Sequence, residues 1–100
     1  MANFNMTIQH NQQEEEAIRR IKNELAVLKK QFADKINDIQ ENWNGNTCEI
    51  SISAMGFSGT GTLTVKQAEI EIAGNIPFPA SLFKGKIEAM IKERLGKLLV

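Results

Sequence analysis

The sequence predicts an α+β fold, an antiparallel β-meander sheet with two amphipathic helices packed on one face. Three observations lead to this prediction. Four short segments alternate apolar and polar residues, as half-buried strands do, and two longer segments repeat apolar residues every three or four positions, as amphipathic helices do. The last four strands are joined by connections so short that neighbours must be antiparallel. The element order is therefore βαββββα, in a single domain over residues 1–100.

The first strand and the first helix follow one another near the start of the chain. Residues 3–9 (NFNMTIQ) alternate, so that Phe4, Met6 and Ile8 share one face. The following segment repeats apolar residues at helical spacing: Ile18, Ile21, Leu25, Leu28 and Phe32. This stripe predicts a long amphipathic helix with Asn11 as its N-cap, because an asparagine side chain can accept a hydrogen bond from a free amide of the first turn.

Residues 38–43 are predicted to form the second strand, although the apolar spacing of the helix continues through Ile36 and Trp43. Asparagine and aspartate are poor helix formers, and they crowd this segment. Asn44-Gly45 is typical of a tight hairpin turn, and an evident strand follows at once. The helix is therefore expected to end before a hairpin begins.

Three further strands form the rest of the meander, and each has one apolar face. Their inward residues are Cys48, Ile50, Ile52 and Ala54, then Gly59, Gly61, Leu63 and Val65, then Ile70 and Ile72. The opposite face is rich in serine and threonine and is left to water or to a partner. Gly59 and Gly61 leave part of the inner face without side chains, so something must fill that space. A close-packed helix, an aromatic ring from Trp43 or Phe57, or an apolar ligand held between helix and sheet would each do so.

The final segment combines an apolar connection with a second amphipathic helix. The apolar side of that helix is expected to carry Phe83, Ile87, Met90, Ile91, Leu95 and Leu98. Pro79 suits a first helical turn, and Phe78 just outside it can staple onto Leu82 or Phe83. The apolar surplus of the connection also suits an oily partner. The candidate binding residues are Ile76, Phe78, Leu82 and Phe83 at this lip, with Trp43, Phe57, Gly59 and Gly61 around any cavity.

Composition and charge exclude several classes of function. Twelve lysines and arginines balance twelve aspartates and glutamates, and the two signs are interleaved, so nucleic-acid binding has no electrostatic footprint. No run is as long and apolar as a transmembrane segment, and the start of the chain shows no secretory signal pattern. The lone cysteine fits a reducing compartment. We therefore expect a cytoplasmic protein.

The chain also lacks the usual constellations of catalytic and metal-binding residues. One histidine and one cysteine cannot build a zinc site, and the GFSGTGT run lacks the Lys-Ser/Thr ending of a phosphate loop. Cys48 and His10 could form a nucleophile pair, but Cys48 is in phase with core residues and is expected to act as a small buried hydrophobe. His10 is either a ligand-binding group or a polar loop side chain near the helix start. We therefore expect no enzyme activity, no metal and no cofactor.

Several motifs occur in an order that resembles one known family. They are His10 ahead of the first helix, W-x-G at Trp43 to Gly45, G-F-S-G-T at Gly56 to Thr60, and LFKGKIE at Leu82 to Glu88. This pattern resembles the polyhydroxyalkanoic acid system family, which consists of small bacterial proteins often encoded with polyester-granule genes. The resemblance covers most of the chain, and the last segment is its most specific part.

The resemblance implies a fold and a function. The fold would be similar to a trimmed helix-grip domain, which holds apolar ligands between a curved sheet and a long helix. The protein would be a non-catalytic accessory protein of polyhydroxyalkanoate metabolism that binds a granule surface, a granule-associated protein or an apolar ligand. The alternative is a structural homo-oligomer, such as a homodimer, that pairs through its Ser/Thr face or an open strand edge.

Overall fold

The structure, a computed structural model, describes residues 2–35, 37–54, 56–76 and 80–99. The strands are β1 (Ala2–Gln9), β2 (Asp38–Asn44), β3 (Thr47–Ala54), β4 (Phe57–Val65) and β5 (Glu69–Ile76). The helices are α1 (Glu14–Gln31) and α2 (Lys84–Leu98), and a short 3₁₀ helix (Ala80–Phe83) leads into α2. The predicted α+β class and the βαββββα order are confirmed.

The five strands form one antiparallel sheet in the order β1-β5-β4-β3-β2. Strands β2 to β5 make the predicted meander, and β1 joins its far side by pairing with β5, with Met6 opposite Ile72 and Ile8 opposite Ile70. Paired residues share a face of the sheet, so the apolar residues of β1 and β5 lie together. Because β1 and β2 are the two edges of the sheet, α1 has to cross the sheet between them.

The two helices cover the same face of the sheet and run antiparallel to each other. Arg94 of α2 donates from Nε to Glu24 Oε1 of α1 at 2.5 Å, and Arg20 Nη1 donates to the carbonyl oxygen of Leu98 at 3.2 Å. The start of α1 therefore lies beside the end of α2. Residues of both helices line one cavity against the inner sheet face, which agrees with the predicted single helical layer.

The apolar core is concentrated at one end of the layer between the sheet and the helices. Its buried members are Ile8, Ala17, Ile21, Cys48, Leu63, Val65, Ile70, Ile72, Leu95 and Leu99. At this end Leu63 pairs with both Cys48 and Ile72, whereas two residues away along β4 Gly61 pairs with Gly74. The inner sheet face is therefore densely filled at one end. At the other end, called the bare end below, the glycines of β4 and β5 leave the middle of the sheet without side chains.

The prediction that Asn11 caps α1 is wrong. The helix begins at Glu14 behind Gln13, whose side chain makes no capping hydrogen bond. The reason lies in the preceding loop, where the backbone N–H of Gln12 donates to His10 Nδ1 at 3.2 Å and keeps this segment outside the helix. Three glutamates in the first turn compensate for the missing cap, because negative charge is favourable at a helix N-terminus.

Two other details differ from the sequence prediction. The turn between β2 and β3 is Gly45-Asn46, one residue later than predicted, and Gly45 has a φ of +64°. Glycine adopts this left-handed conformation without strain. Met90, predicted on the apolar side of α2, is 59% exposed. The four-residue spacing of Ile87 and Ile91, which both line the cavity, sets the face that α2 turns to the sheet and leaves Met90 off it.

Candidate functional site

A cavity of about 650 Å³ lies between the bare end of the inner sheet face and the two helices. Its floor includes Ile50, Ile52, Gly59, Gly61, Ile72 and Ile76 of the sheet. Its roof includes Ile21, Leu25, Leu28, Ile87, Ile91 and Leu95 of the two helices, together with Phe83. The lining is almost entirely apolar, and one side is open to solvent. Ligand sites in proteins typically occupy roughly 300–1,000 Å³, so the cavity has the size and character of a binding site.

Three glycines on adjacent strands leave the middle of the sheet beneath the cavity without side chains. Gly59 and Gly61 lie on the inner face of β4, and Gly61 pairs with Gly74 of β5. A Cβ atom on Gly74 would come within 2.8 Å of Phe4 Cε1, so the ring of Phe4 occupies that position. A Cβ atom on Gly61 would approach Ala73 O to 3.0 Å. The glycines therefore admit the Phe4 ring at one border of the cavity and leave the space above β4 open.

Apolar side chains at the start of α2 mark the open side of the cavity. Phe83 lines the cavity and is nevertheless 60% exposed, which places it at the mouth. Ile52 of β3 likewise lines the cavity and is exposed. Leu82 is 71% exposed and is not among the lining residues. An apolar rim therefore continues from the interior of the cavity onto the surface.

One ion pair interrupts the apolar lining. Glu24 and Arg94 both line the cavity, and they face each other across the gap between the two helices. The guanidinium of Arg94 also donates from Nη2 to Gln31 Oε1 at 3.0 Å. These bonds hold the guanidinium in one orientation at the roof of the cavity.

The structure brings several of the predicted binding residues together and separates others. Those that line the cavity are Gly59, Gly61, Ile76 and Phe83. Trp43 lies on the same sheet face but outside the cavity, where its Nε1 donates to Glu41 Oε2 at 2.8 Å and Lys22 Nζ is 5.2 Å from its ring centroid. Phe78 and the side chain of Phe57 lie outside the described residues.

Sequence reasoning missed Phe4 and the pair of Glu24 and Arg94 as cavity residues, and it missed Gly74 beneath the Phe4 ring. The alternation of β5 carries a usable signal for Gly74, because it continues the inward positions Ile70 and Ile72. The other contacts join distant parts of the chain, and no local pattern reports them.

His10 and Cys48 do not form a nucleophile pair. His10 Nε2 donates to Lys66 O at 2.8 Å, and Nδ1 accepts from the backbone N–H of Gln12, so both ring nitrogens are committed. Cys48 is fully buried in the core, and this burial raises the pKa of its thiol. The interpretation of Cys48 as a small buried hydrophobe is confirmed.

The outer face of the sheet is a second distinctive surface. It forms a broad, open depression of about 1140 Å³ that polar and apolar atoms line in nearly equal measure. One row crosses all five strands in register and contains only uncharged polar side chains: Asn3, Asn75, Thr60, Ser51 and Gln40. Polar residues therefore cover this face, as the serine and threonine alternation predicts.

Within ranges 2–35, 37–54, 56–76 and 80–99, no group of three or more histidine, cysteine, aspartate or glutamate side chains is arranged to hold a metal ion. In that same part of the chain, no helix is long and apolar enough to cross a membrane.

The fold and the cavity define the class of protein, an α+β domain in which one antiparallel sheet and two helices enclose an apolar site. A family model for the polyhydroxyalkanoic acid system protein matches residues 4–99. The chain belongs to this family, as its motifs indicate, and the family name associates its members with the polyhydroxyalkanoate system. No curated protein and no solved structure shows a significant match to the chain.

Proposed function

We propose that this protein is a non-catalytic accessory protein of polyhydroxyalkanoate metabolism that binds an apolar ligand in the cavity. The observation that supports this function is the cavity itself, an almost entirely apolar space of about 650 Å³ above Gly59 and Gly61. The walls of an empty apolar space lack van der Waals partners on one side. An apolar ligand would supply those partners, and removing apolar surface from water stabilises the complex by roughly 25 cal/mol per Å².

The family supplies a chemical context for the ligand. A polyhydroxyalkanoate is a polyester of hydroxyalkanoic acids, so its chains and their precursors carry apolar alkyl segments. The exposed Leu82 and Phe83 offer apolar contacts to a granule surface, and Phe83 continues into the cavity. A non-catalytic role agrees with a histidine whose two ring nitrogens are both bonded and a cysteine that is fully buried. The lone thiol of Cys48 is also compatible with action in the cytoplasm.

A matched pair of substitutions tests the cavity as the binding site. Phe83 and Met90 are equally exposed, at 60% and 59%, but Phe83 lines the cavity and Met90 does not. Each protein is titrated with a neutral naphthylamine probe whose fluorescence rises in an apolar site. We expect Met90→Ser to bind like the wild type and Phe83→Ser to bind about tenfold more weakly, because a partly buried phenyl ring contributes about 1.4 kcal/mol.

Isolated polyester granules provide the second measurement. Co-sedimentation of the same three proteins is expected to follow the same order, with Phe83→Ser the weakest. Thermal unfolding of each variant shows whether the fold is intact. Absence of probe binding by the wild type, or an equal loss in both variants, contradicts the proposed function.

A second candidate function is a homo-oligomer that pairs through the outer sheet face. The uncharged polar row across all five strands favours it, because hydroxyl and amide groups can both donate and accept hydrogen bonds with a second copy. The cavity is on the opposite face of the sheet, so pairing of this kind would leave the cavity free.

A further inference from the structure

We infer, on the basis of the proposed function, that the ligand carries an uncharged polar end group, such as a hydroxyl, that binds at the pair of Glu24 and Arg94. The alkyl part of the ligand then lies in the apolar remainder of the cavity. The site would therefore bind an alcohol or a hydroxy ester more tightly than a fatty-acid carboxylate of the same length.

The first argument is the position of the charges. Among the described residues that line the cavity, Glu24 and Arg94 are the charged ones. They join α1 to α2 through a hydrogen bond of 2.5 Å between Arg94 Nε and Glu24 Oε1. One turn or less from them, Ile21 and Leu95 are buried in the core. A ligand that enters past Phe83 therefore meets this pair next to the packed end of the cavity.

The second argument is charge balance. The guanidinium of Arg94 is already neutralised by the carboxylate of Glu24, so the pair as a whole has a net charge close to zero. The side chains of Arg94 and Glu24 are 36% and 19% exposed, so a carboxylate ligand would give up part of its hydration there and would place a second negative charge beside Glu24. Both effects oppose binding, because a charge is costly to bury unless an unshared opposite charge accompanies it.

The third argument is hydrogen-bonding capacity. A guanidinium has five N–H donors, and Arg94 uses two of them for Glu24 and Gln31. A hydroxyl group can accept from a further N–H of Arg94 and donate to the carboxylate of Glu24, and it gives up little hydration. An uncharged group with both a donor and an acceptor therefore complements the pair better than a charged one.

The length of the apolar part follows from helix geometry. From Arg94 back to Ile87, α2 rises about 10 Å, and both residues line the cavity. A medium-length alkyl chain would span this distance beneath the helix and reach toward Phe83 at the mouth. Ligands with a decyl chain are therefore suitable probes.

The experiment compares three ligands of equal chain length at pH 7: decanol, methyl decanoate and decanoate. Displacement of the naphthylamine probe measures their affinities for the wild-type protein. We expect decanol to bind about tenfold more tightly than decanoate, a difference typical of one charged group that is left poorly compensated. Methyl decanoate, whose ester only accepts hydrogen bonds, is expected to lie between them.

Two variants test the role of the ion pair. Glu24→Gln removes the competing negative charge while keeping an oxygen for Arg94, so decanoate is expected to gain affinity relative to decanol by about tenfold. Glu93→Gln removes an exposed glutamate of α2 that pairs with Lys97 outside the cavity, and it is expected to keep the wild-type order of affinities.

The outcomes separate this inference from the proposed function. If all three ligands bind the wild type with equal affinity, or if decanoate binds most tightly, the uncharged end group is wrong while the cavity still binds apolar ligands. If none of the three displaces the probe, the proposed function itself fails. The wild-type comparison decides between these outcomes even if Glu24→Gln does not fold.

Discussion

His10 links two loops that are distant in the sequence, and its hydrogen bonds are called the His10 latch below. Its backbone N–H donates to Ala68 O at 2.9 Å, and its Nε2 donates to Lys66 O at 2.8 Å. Because the N–H of Gln12 donates to Nδ1, that nitrogen is the acceptor of the ring, and Nε2 is its donor. The side chain of His10 is buried, so these bonds are partly shielded from water. The loop before α1 is thereby fastened to the connection between β4 and β5.

Substitution of His10 tests this latch. His10→Ala would leave the Gln12 N–H and the Lys66 carbonyl oxygen without a partner in a partly buried place. We expect the free energy of unfolding to fall by about 2–3 kcal/mol, as measured by urea denaturation. Asn11→Ala, at the exposed neighbouring position, is the control and is expected to change stability by less than about 0.5 kcal/mol. Equal unfolding midpoints for the two variants would contradict the latch.

At the scale of the elements, the close approach of β1 and β4 to β5 depends on Gly74. Its missing side chain makes room for the ring of Phe4 on one strand and for the Thr60 carbonyl oxygen on the other, which lies 2.9 Å from the position of a Cβ atom. Here the glycine serves close packing, whereas at Gly45 it serves the left-handed turn.

Two glycine-to-alanine substitutions with opposite expected signs test this packing. Gly74→Ala forces the Phe4 ring aside and presses on backbone, so we expect a loss of about 1–3 kcal/mol in the free energy of unfolding. Gly96→Ala, in α2, has nothing within 4 Å of the added atom and is expected to gain about 0.5–1 kcal/mol, because alanine is the better helix former. Urea denaturation measures both. A neutral or stabilising Gly74→Ala would show that the Phe4 contact is not tight.

Local patterns in the sequence predicted the elements, and they failed where distant segments decide the outcome. The alternation around Cys48, Leu63 and Ile70 reports which side of each strand is buried, since that property repeats every second residue. The pairing of β1 with β5 does not follow from such a pattern, because the two strands are separated by most of the chain. The failed N-cap at Asn11 has a related origin, because His10, which accepts from the Gln12 N–H, is itself held by hydrogen bonds to Lys66 and Ala68.

The site was predictable to the extent that it is built from strand alternation. Gly59 and Gly61 were recognised as a bare patch because both occupy inward positions of one strand. Glu24 and Arg94 were not recognised, since each also reads as an ordinary charged residue beside the apolar stripe of its helix. Their meeting depends on how α1 and α2 are placed over the sheet, and that placement is a property of the tertiary fold.

For the molecule as a whole, the packed core and the cavity divide one sheet face between them. A chain of this size buries only about 60–68% of its unfolded surface, so it has little apolar area to spare. The packed end contains core residues from four strands and both helices. Beside it, the hydrogen bonds of His10 join the segment after β1 to the connection between β4 and β5. The bare end can then stay open without loss of the fold. This division explains how so small a protein can hold a cavity of about 650 Å³.

The outer face leads to a prediction about oligomeric state. If the uncharged row pairs with a second copy, the mass measured by light scattering rises with concentration from 11.2 kDa toward twice that value. Thr60→Lys places a charge at the centre of the row, where two copies would bring like charges together, and is expected to hold the protein at the monomer mass. Gln67→Lys adds the same charge in the exposed connection between β4 and β5 and is expected to associate like the wild type. A constant mass of 11.2 kDa for all three proteins would remove the homo-oligomer as a candidate.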